Sequence, residues 1–400
     1  MKDRSHCWSS QNRNIYMARK RIVILGSTGS IGENALKVAE HLDDELEVVG
    51  LAACSRIERL AEQATEFNCR ALVTGDNGLE DRLRQIAPAN CSVGAGNEAL
   101  IELVTRDDVD TVLCAIVGTG GLMPVIAALE AGKDVALASK EVLVLAGKIV
   151  MEAAARSKGR IIPVDSEHSA IFQCLEGRGA DTAARLILTA SGGAFRDATL
   201  EEMRNADCSS ALAHPTWDMG PKVTIDSASL MNKALEIVEA HFLFNVPHEK
   251  IDVVIHPQSV IHSMVEFIDG TVLAQMSTPD MRFPIQYALT WPHKRPGSLE
   301  PLDFGKLSKL TFKLPDREIF PSLDFAYEAL RQGGDMPAVM NAANEVAVEK
   351  FRHGKIKFTE IWRIIEKTMS AHRVNDYNSL EEVLEADLQA RKFAAELEIN

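Results

Sequence analysis

Three acidic residues carry the strongest chemical signal in the chain. Asp165 and Glu167 flank a serine just after the apolar run 161–164. Residues two apart on an extended backbone point to the same side, so these carboxylates can converge on one cation. Glu236 follows Asn232 and Lys233 by four and three residues on a strongly periodic stretch. That spacing puts the three on one helical face. Three carboxylates with no organised Cys or His set suit a hard divalent ion, Mg2+ or Mn2+, whose open positions take substrate oxygens or water. Singly, each acid reads as a solvated or capping residue; only the combination points to a site.

Around these acids lies an inventory suited to a phosphate monoester. Ser191-Gly192-Gly193, Ser227, Asn232 and Lys233 offer hydroxyls, an amide, an ammonium and accessible backbone N–H groups. His214-Pro-Thr-Trp217-Asp-Met219-Gly220 places an imidazole, an indole and a thioether in a turn-rich stretch, the composition of a lid that excludes water.

A second ligand is legible near the N-terminus. Gly26-Ser-Thr-Gly29-Ser-Ile-Gly32 follows an apolar run and opens a helical pattern. Its glycines let the backbone approach a pyrophosphate, which the free N–H groups of a helix start attract. The next strand ends Ala53-Cys54-Ser55-Arg56, without the acid that would hold a ribose 2′-hydroxyl. Ser55 and the planar fork of Arg56 suit a 2′-phosphate, so NADPH is favoured over NADH.

These residues need elements to position them. The apolar runs 22–25, 48–53, 71–74, 111–117, 135–138 and 161–164 alternate with amphipathic stretches, which predicts a parallel sheet covered on both faces: an N-terminal Rossmann-like domain over 21–164. After Asp165 the alternation changes. Strands are expected at 186–190, 222–226, 251–268 and 271–276, with a strong helix near 228–245, giving a central α+β catalytic domain over 165–290. Prolines punctuate 291–319, read as a linker. A small helical domain over 320–400 follows, with Pro337 at a first helical position, Thr359 at a cap, and Ser379 with Glu382 as a capping box.

Bulk properties narrow the class. The alternation makes the fold class α/β; the composition, 46% hydrophobic and 25% charged, is that of a globular protein, and 400 residues suggest two or three domains. A net charge of −14 argues against a nucleic-acid partner, so any phosphate site must be local. Seven scattered cysteines without a C-x-x-C suggest reduced thiols in a cytoplasmic compartment. The uncharged run between Asp110 and Glu130 is broken by Gly118, Gly120, Gly121 and Pro124, so no membrane span is expected. Residues 1–20 carry basic residues without an apolar core and read as a disordered extension.

Taken together, GSTGSIG (26–32), ASKE (138–141), PVDSEH (163–168), SGG (191–193), HPTWDMG (214–220), DSASLMNKALE (226–236) and HPQSVIHSMV (256–265) resemble, in order, the 1-deoxy-D-xylulose 5-phosphate reductoisomerases; Asn341-Ala-Ala-Asn344-Glu345 is similar to the last domain of that family. The resemblance implies a homodimer that rearranges this sugar phosphate and reduces the resulting aldehyde to 2-C-methyl-D-erythritol 4-phosphate, a step of non-mevalonate isoprenoid precursor synthesis. It implies Asp165, Glu167 and Glu236 as metal ligands, and Ser191, Ser227, Asn232 and Lys233 at the phosphate with His214 nearby. Lys140, Ser166 and Glu167 would touch substrate beside the metal. Thr28, Gly29, Ser30, Ile31, Glu141 and Gly220 would face NADPH, while Trp217 and Met219 belong to the closing loop. Two departures stand out. Relatives carry Gly-Lys-Asn where this chain has Cys54-Ser55-Arg56, and Asn where it has Ser139, which leaves Ser139 one hydroxyl for its nicotinamide-side contact. The residues leave open whether the skeleton moves by retro-aldol/aldol steps or by a concerted shift. They also leave open a metal-free NADPH dehydrogenase of similar plan, which would not need the three acids, and a nucleotide-sensing binding protein.

Overall fold

The computed structural model describes residues 18–398; the expected N-terminal extension falls almost wholly outside them. Seven strands form the first sheet: β1 (Lys20–Leu25), β2 (Leu46–Ala53), β3 (Ala71–Thr74), β4 (Ser92–Ala95), β5 (Thr111–Cys114), β6 (Asp134–Leu137) and β7 (Ile161–Pro163). Their order is β4-β3-β2-β1-β5-β6-β7, and every pairing is parallel. Successive residues alternate between two cores. Ile22, Ile24, Leu51, Leu72 and Leu113 belong to one, and Val23, Leu25, Val49, Val73 and Val112 to the other. Both faces are covered by helices, which explains the unbroken apolar runs. The chain reverses its direction of travel across the sheet between β1 and β5, the crevice where open α/β sheets take ligands.

Six strands were expected here and seven are present. The addition, β4, is Ser-Val-Gly-Ala, an edge strand with no fully buried residue, too short and too polar to stand out. The expected 111–117 strand stops at Cys114, and the following residues form a loop and a short 3-10 turn, Gly118–Gly121.

The second sheet contains β8 (Ala183–Ala190), β9 (Ile251–Ile255), β10 (Ile261–Phe267) and β11 (Val272–Met276), in the order β11-β10-β8-β9. Only β8 and β9 are parallel. Two expectations are corrected. Residues 251–268 make two strands rather than one, separated by a turn in which Ser259 has φ 51°. Residues 222–226 lie in the helix Pro221–Ala228, not in a strand. Val223, Thr224 and Ile225 favour strands, but Pro221 at the first turn and burial against neighbouring helices outweigh that propensity. The next helix, Met231–Phe244, starts immediately beyond Leu230, whose left-handed φ of 60° lets the two helices meet at a corner.

Four further helices, Ser322–Gln332, Met336–Arg352, Glu360–Ala371 and Leu380–Glu396, complete the chain. Pro337 lies in the first turn of its helix, and the Ser379–Glu382 capping box is formed. Thr359 holds the cap position of its helix without a side-chain bond. One core joins the second sheet to these helices through Phe195, Phe358, Phe351 and Trp362. Residues 291–319 hold one short helix, Phe304–Leu307; their start bonds to the first domain, Trp291 to Lys20 and Arg295 to Glu45, and their end meets the second sheet, where Lys313 bridges to Ile255. No helix among the described residues is long and apolar enough to cross a membrane.

Candidate active site

Because every strand of the first sheet is parallel, the segments after β1, β2, β5, β6 and β7 leave from the same edge. The glycine loop follows β1, Ser55-Arg56 follows β2, Ser139-Lys140-Glu141 follows β6, and Asp165 follows β7. The fold thus lines up along one edge residues far apart in sequence.

In the glycine loop, Gly26 has φ 84°, and a Cβ there would lie 2.5 Å from the Ala115 carbonyl oxygen. Only glycine fits so close to the exit of β5. The helix Ser30–His41 begins at Gly29 with no side-chain cap, leaving its first N–H groups for an anionic ligand. Thr28 is buried, Gly29 and Ile31 are half-buried, and Ser30 is exposed. Ser55 and Arg56 are exposed beside the next helix, and the Arg56 guanidinium makes no hydrogen bond or ion pair among the described residues. Ser139 is different. Its hydroxyl donates to the Ile116 carbonyl and it is buried, so its side chain is committed to the chain itself rather than offered to a nicotinamide.

Asp165 caps the helix Ser166–Leu175 at φ −55°, ψ 132°, and Glu167 stands in its first turn. The extended backbone expected for this pair is therefore corrected: a helix start, not a strand end, aims Glu167. The two acids still meet Glu236, with one oxygen of each residue within 4.8 Å of the others. An all-carboxylate set at this spacing fits one hard divalent ion.

Two lysines knit the acids together. Lys140 Nζ reaches Asp165 and lies 3.1 Å from Glu236. Lys233 Nζ lies 2.7 Å from Glu167 and also reaches Glu236. Asn232 donates to Glu236 Oε1 at 2.5 Å, and the Ser166 hydroxyl donates to Glu167. Burial would raise the Asp165 carboxyl, but Lys140 and then His168 hold it at about 2. Burial likewise opposes ionisation of Glu167, yet Lys233 keeps it below the usual range. Glu236 differs: burial and the neighbouring Glu167 charge raise it to about 7 despite the lysines. Although burial disfavours their charge, Lys140 and Lys233 are held protonated by the surrounding carboxylates.

Ser191 follows β8. Its Oγ lies 3.0 Å from His214 Nε2. His214 Nδ1 accepts from the backbone N–H groups of Thr216 and Trp217 at 3.1 and 2.9 Å, so the hydrogen sits on Nε2 and is donated to Ser191. The Ser191 hydroxyl hydrogen is thereby left to donate to a ligand. Gly193 at φ 68° presses against the helix bearing Ser227; a Cβ there would meet the Ser227 carbonyl oxygen at 2.3 Å. Asn232 and Lys233 open the neighbouring helix, although the Lys233 ammonium is already paired with acids. Trp217 is half-buried, with its ring centroid 6.4 Å from that of His262.

Glu141 makes its ion pair elsewhere. It is buried and pairs at 3.0 Å with Lys222, two residues after Gly220 in the next helix, and Lys222 also pairs with Asp226 at 2.9 Å. Asn344 donates to Asp226 at 3.0 Å. Sequence reasoning did not select Lys222, Asp226, His168 or Glu239. The last gave a signal: Glu236 and Glu239 are acids three apart within the apolar run Ala234–Ala240, every residue of which is buried.

Three family profiles match in chain order: 1-deoxy-D-xylulose 5-phosphate reductoisomerase over residues 22–147, the C-terminal domain of that enzyme over 161–244, and the DXP reductoisomerase C-terminal domain over 276–393. A 1-deoxy-D-xylulose 5-phosphate reductoisomerase of Thermodesulfovibrio yellowstonii is 50% identical over 375 residues, covering 94% of this chain and 98% of that protein. Among solved structures, the reductoisomerase of Zymomonas mobilis in complex with NADPH superposes with a TM-score of 0.89 at 43% identity, over 94% of this chain and 98% of that one. A DOX-P reductoisomerase in complex with NADPH, fosmidomycin and magnesium gives 0.88 at 38% identity, over 94% and 97%.

Proposed function

This chain belongs to the 1-deoxy-D-xylulose 5-phosphate reductoisomerase family, and from that membership we propose how its own residues divide the work. The protein converts 1-deoxy-D-xylulose 5-phosphate to 2-C-methyl-D-erythritol 4-phosphate, rearranging the skeleton and then reducing it with NADPH. The single observation that carries our residue assignment is the convergence of Asp165, Glu167 and Glu236, bridged by Lys140 and Lys233.

In this reading the three acids hold Mg2+ or Mn2+. When bound, the ion supplies Lewis acidity to the substrate carbonyl and its neighbouring hydroxyl, and NADPH supplies the hydride. Lys140, whose ammonium sits between Asp165 and Glu236, balances the buried negative charge and donates hydrogen bonds to the substrate oxygens beside it. Ser166 orients Glu167. Ser191, Ser227, Asn232 and Lys233 hold the phosphate, with His214 turning the Ser191 hydroxyl outward. Binding energy from the phosphate, remote from the reacting carbons, orders the loop that carries Trp217 and Met219 and so excludes water. Thr28, Gly29, Ser30 and Ile31 take the pyrophosphate, and Ser55 with Arg56 takes the 2′-phosphate. Glu141 and Gly220, held together by Lys222, form the nicotinamide side, where Ser139 positions the backbone.

We assign 21–164 to cofactor binding, 165–290 to substrate and metal binding, and 320–400 to a helical domain joined through 291–319. The protein is proposed to work in the cytoplasm as a homodimer. Phe312 and Leu314, 46% and 80% exposed beside the second sheet, offer an apolar face for a second copy. Sedimentation at the mass of one chain would refute the dimer.

The reaction assignment is tested by NADPH oxidation with the purified protein, 1-deoxy-D-xylulose 5-phosphate and Mg2+ or Mn2+. Turnover that stops with chelator and returns with added metal is expected. Undiminished turnover in chelator would overturn the metal assignment.

A further inference from the structure

Two buried polar side chains have no part in the reading above. Glu239 sits one turn beyond Glu236 on the helix Met231–Phe244, fully buried, and neither carboxyl oxygen has a hydrogen-bond partner. Its Oε2 faces His168 Nδ1 across 3.3 Å, and that nitrogen also has no hydrogen-bond partner. Buried polar atoms are rarely left without partners, so two that face each other call for an explanation.

The other ring nitrogen supplies it. His168 Nε2 lies 3.0 Å from the main-chain carbonyl oxygen of Glu236. A carbonyl only accepts, so Nε2 carries a hydrogen and Nδ1 is left to the carboxyl group of Glu239. One hydrogen shared between Nδ1 and the facing Oε2 satisfies both atoms, whichever of the two carries it. The ring itself stacks parallel to Phe244, with centroids 6.2 Å apart, so it has little room to turn. His168 belongs to the helix that starts at Asp165 and carries Glu167, while the carbonyl it holds belongs to the helix that carries Glu236. The imidazole therefore ties together the two elements that must bring three carboxylates into register.

We propose that Glu239 is a positioning residue for the three-acid site: it shares a hydrogen bond with His168 Nδ1, holds the ring with its Nε2 hydrogen on the Glu236 carbonyl, and so locks Glu236 against Asp165 and Glu167. Glu239 touches neither substrate nor cofactor in this scheme and acts through His168. Partners behind a ligand shell typically change metal affinity by about 10- to 100-fold when removed. The inference rests on the three acids being the metal ligands.

The test is Mn2+ binding to the full-length protein, read by the paramagnetic resonance signal of free Mn2+, with NADPH affinity measured alongside. Wild-type protein should bind one Mn2+ per chain and Glu236→Gln should lose it; failure of either would overturn the underlying reading and the inference with it. Given that result, Glu239→Gln, whose amide can donate to Nδ1 or accept from it, should stay within about threefold of wild type. Glu239→Leu should bind Mn2+ at least about tenfold more weakly with NADPH affinity unchanged. If the leucine variant does not fold, Glu239→Asp serves instead, since its shorter side chain draws the carboxyl away from Nδ1 and should weaken Mn2+ to a similar degree. Wild-type Mn2+ affinity in a folded Leu or Asp variant would overturn the proposal. So would a Gln variant as weak as these, or two Mn2+ per wild-type chain with one lost in Glu239→Gln, which would make Glu239 a ligand.

Discussion

Lys140 Nζ reaches Asp165 and Glu236, while the carboxylate of the next residue, Glu141, pairs with Lys222. In the proposed assignment, one step along the chain thus separates the metal side of the site from the cofactor side. Lys222 is the only positive charge paired with Glu141 and Asp226 among the described residues. Removing it strands two buried acids, and breaking a buried pair in this way costs about 3–5 kcal/mol. Lys222→Met should show that loss in urea unfolding; stability within about 1 kcal/mol of wild type would show that the pairs are dispensable. Arg56 reads differently because it is exposed and unengaged. Arg56→Ala should weaken NADPH binding by about ten- to hundredfold and leave NADH binding almost unchanged; equal effects on both, by titration calorimetry, would remove it from the 2′-phosphate site. The acids also set a pH dependence. Glu236, raised to about 7 by burial and by Glu167, holds a proton below that pH, and the proton competes with a cation. Mn2+ affinity should therefore be full above pH 7 and fall by about tenfold from pH 8 to pH 6, since Asp165, at about 2, stays ionised throughout. A flat profile over that range would contradict this electrostatic picture.

At the scale of elements, local patterns were readable wherever local forces decide. The glycine loop announces a strand-to-helix turn, and the Asn232–Lys233–Glu236 spacing announces a helical face, because each depends only on neighbours in sequence. The misreadings fall where tertiary packing decides. Residues 222–226 hold β-branched side chains yet form a helix, and Asp165 with Glu167 converges through a helix start rather than a strand. Nor could spacing reveal that Ser139 spends its hydroxyl on Ile116, or that Glu239 meets His168 from another helix. The Ser191–Gly193 loop shows how one element aligns another. Its third residue lies at φ 68° against the Ser227 carbonyl, where a Cβ would be 2.3 Å away. Gly193→Ala should push the loop off the helix and raise KM for the sugar phosphate at least about tenfold while NADPH affinity holds, because Ser191 and Ser227, proposed to hold the phosphate, lose register. An unchanged KM would mean that the two serines do not act on one phosphate.

Across the whole molecule, the acids gather where three structural units meet. Asp165 leaves the last strand of the parallel sheet, and Glu236 comes from the core shared by the second sheet and the C-terminal helices. The helix Glu141–Arg156 packs against both the Glu236 helix and the C-terminal helices, so the site is braced from either side. A charge of −14 required any phosphate site to be local, but composition could not foretell that the C-terminal helices share a core with the central sheet. The central claim is that three carboxylates from two elements act as one unit to hold the ion and through it the substrate. The most direct test is Glu236→Gln, which keeps the shape and removes the charge, assayed for turnover across Mg2+ concentrations beside NADPH affinity and thermal unfolding. Folding and NADPH binding should match wild type while turnover falls by orders of magnitude, and adding Asp165→Asn should cost little more. Near-wild-type turnover of Glu236→Gln at low Mg2+ would contradict the three-carboxylate site.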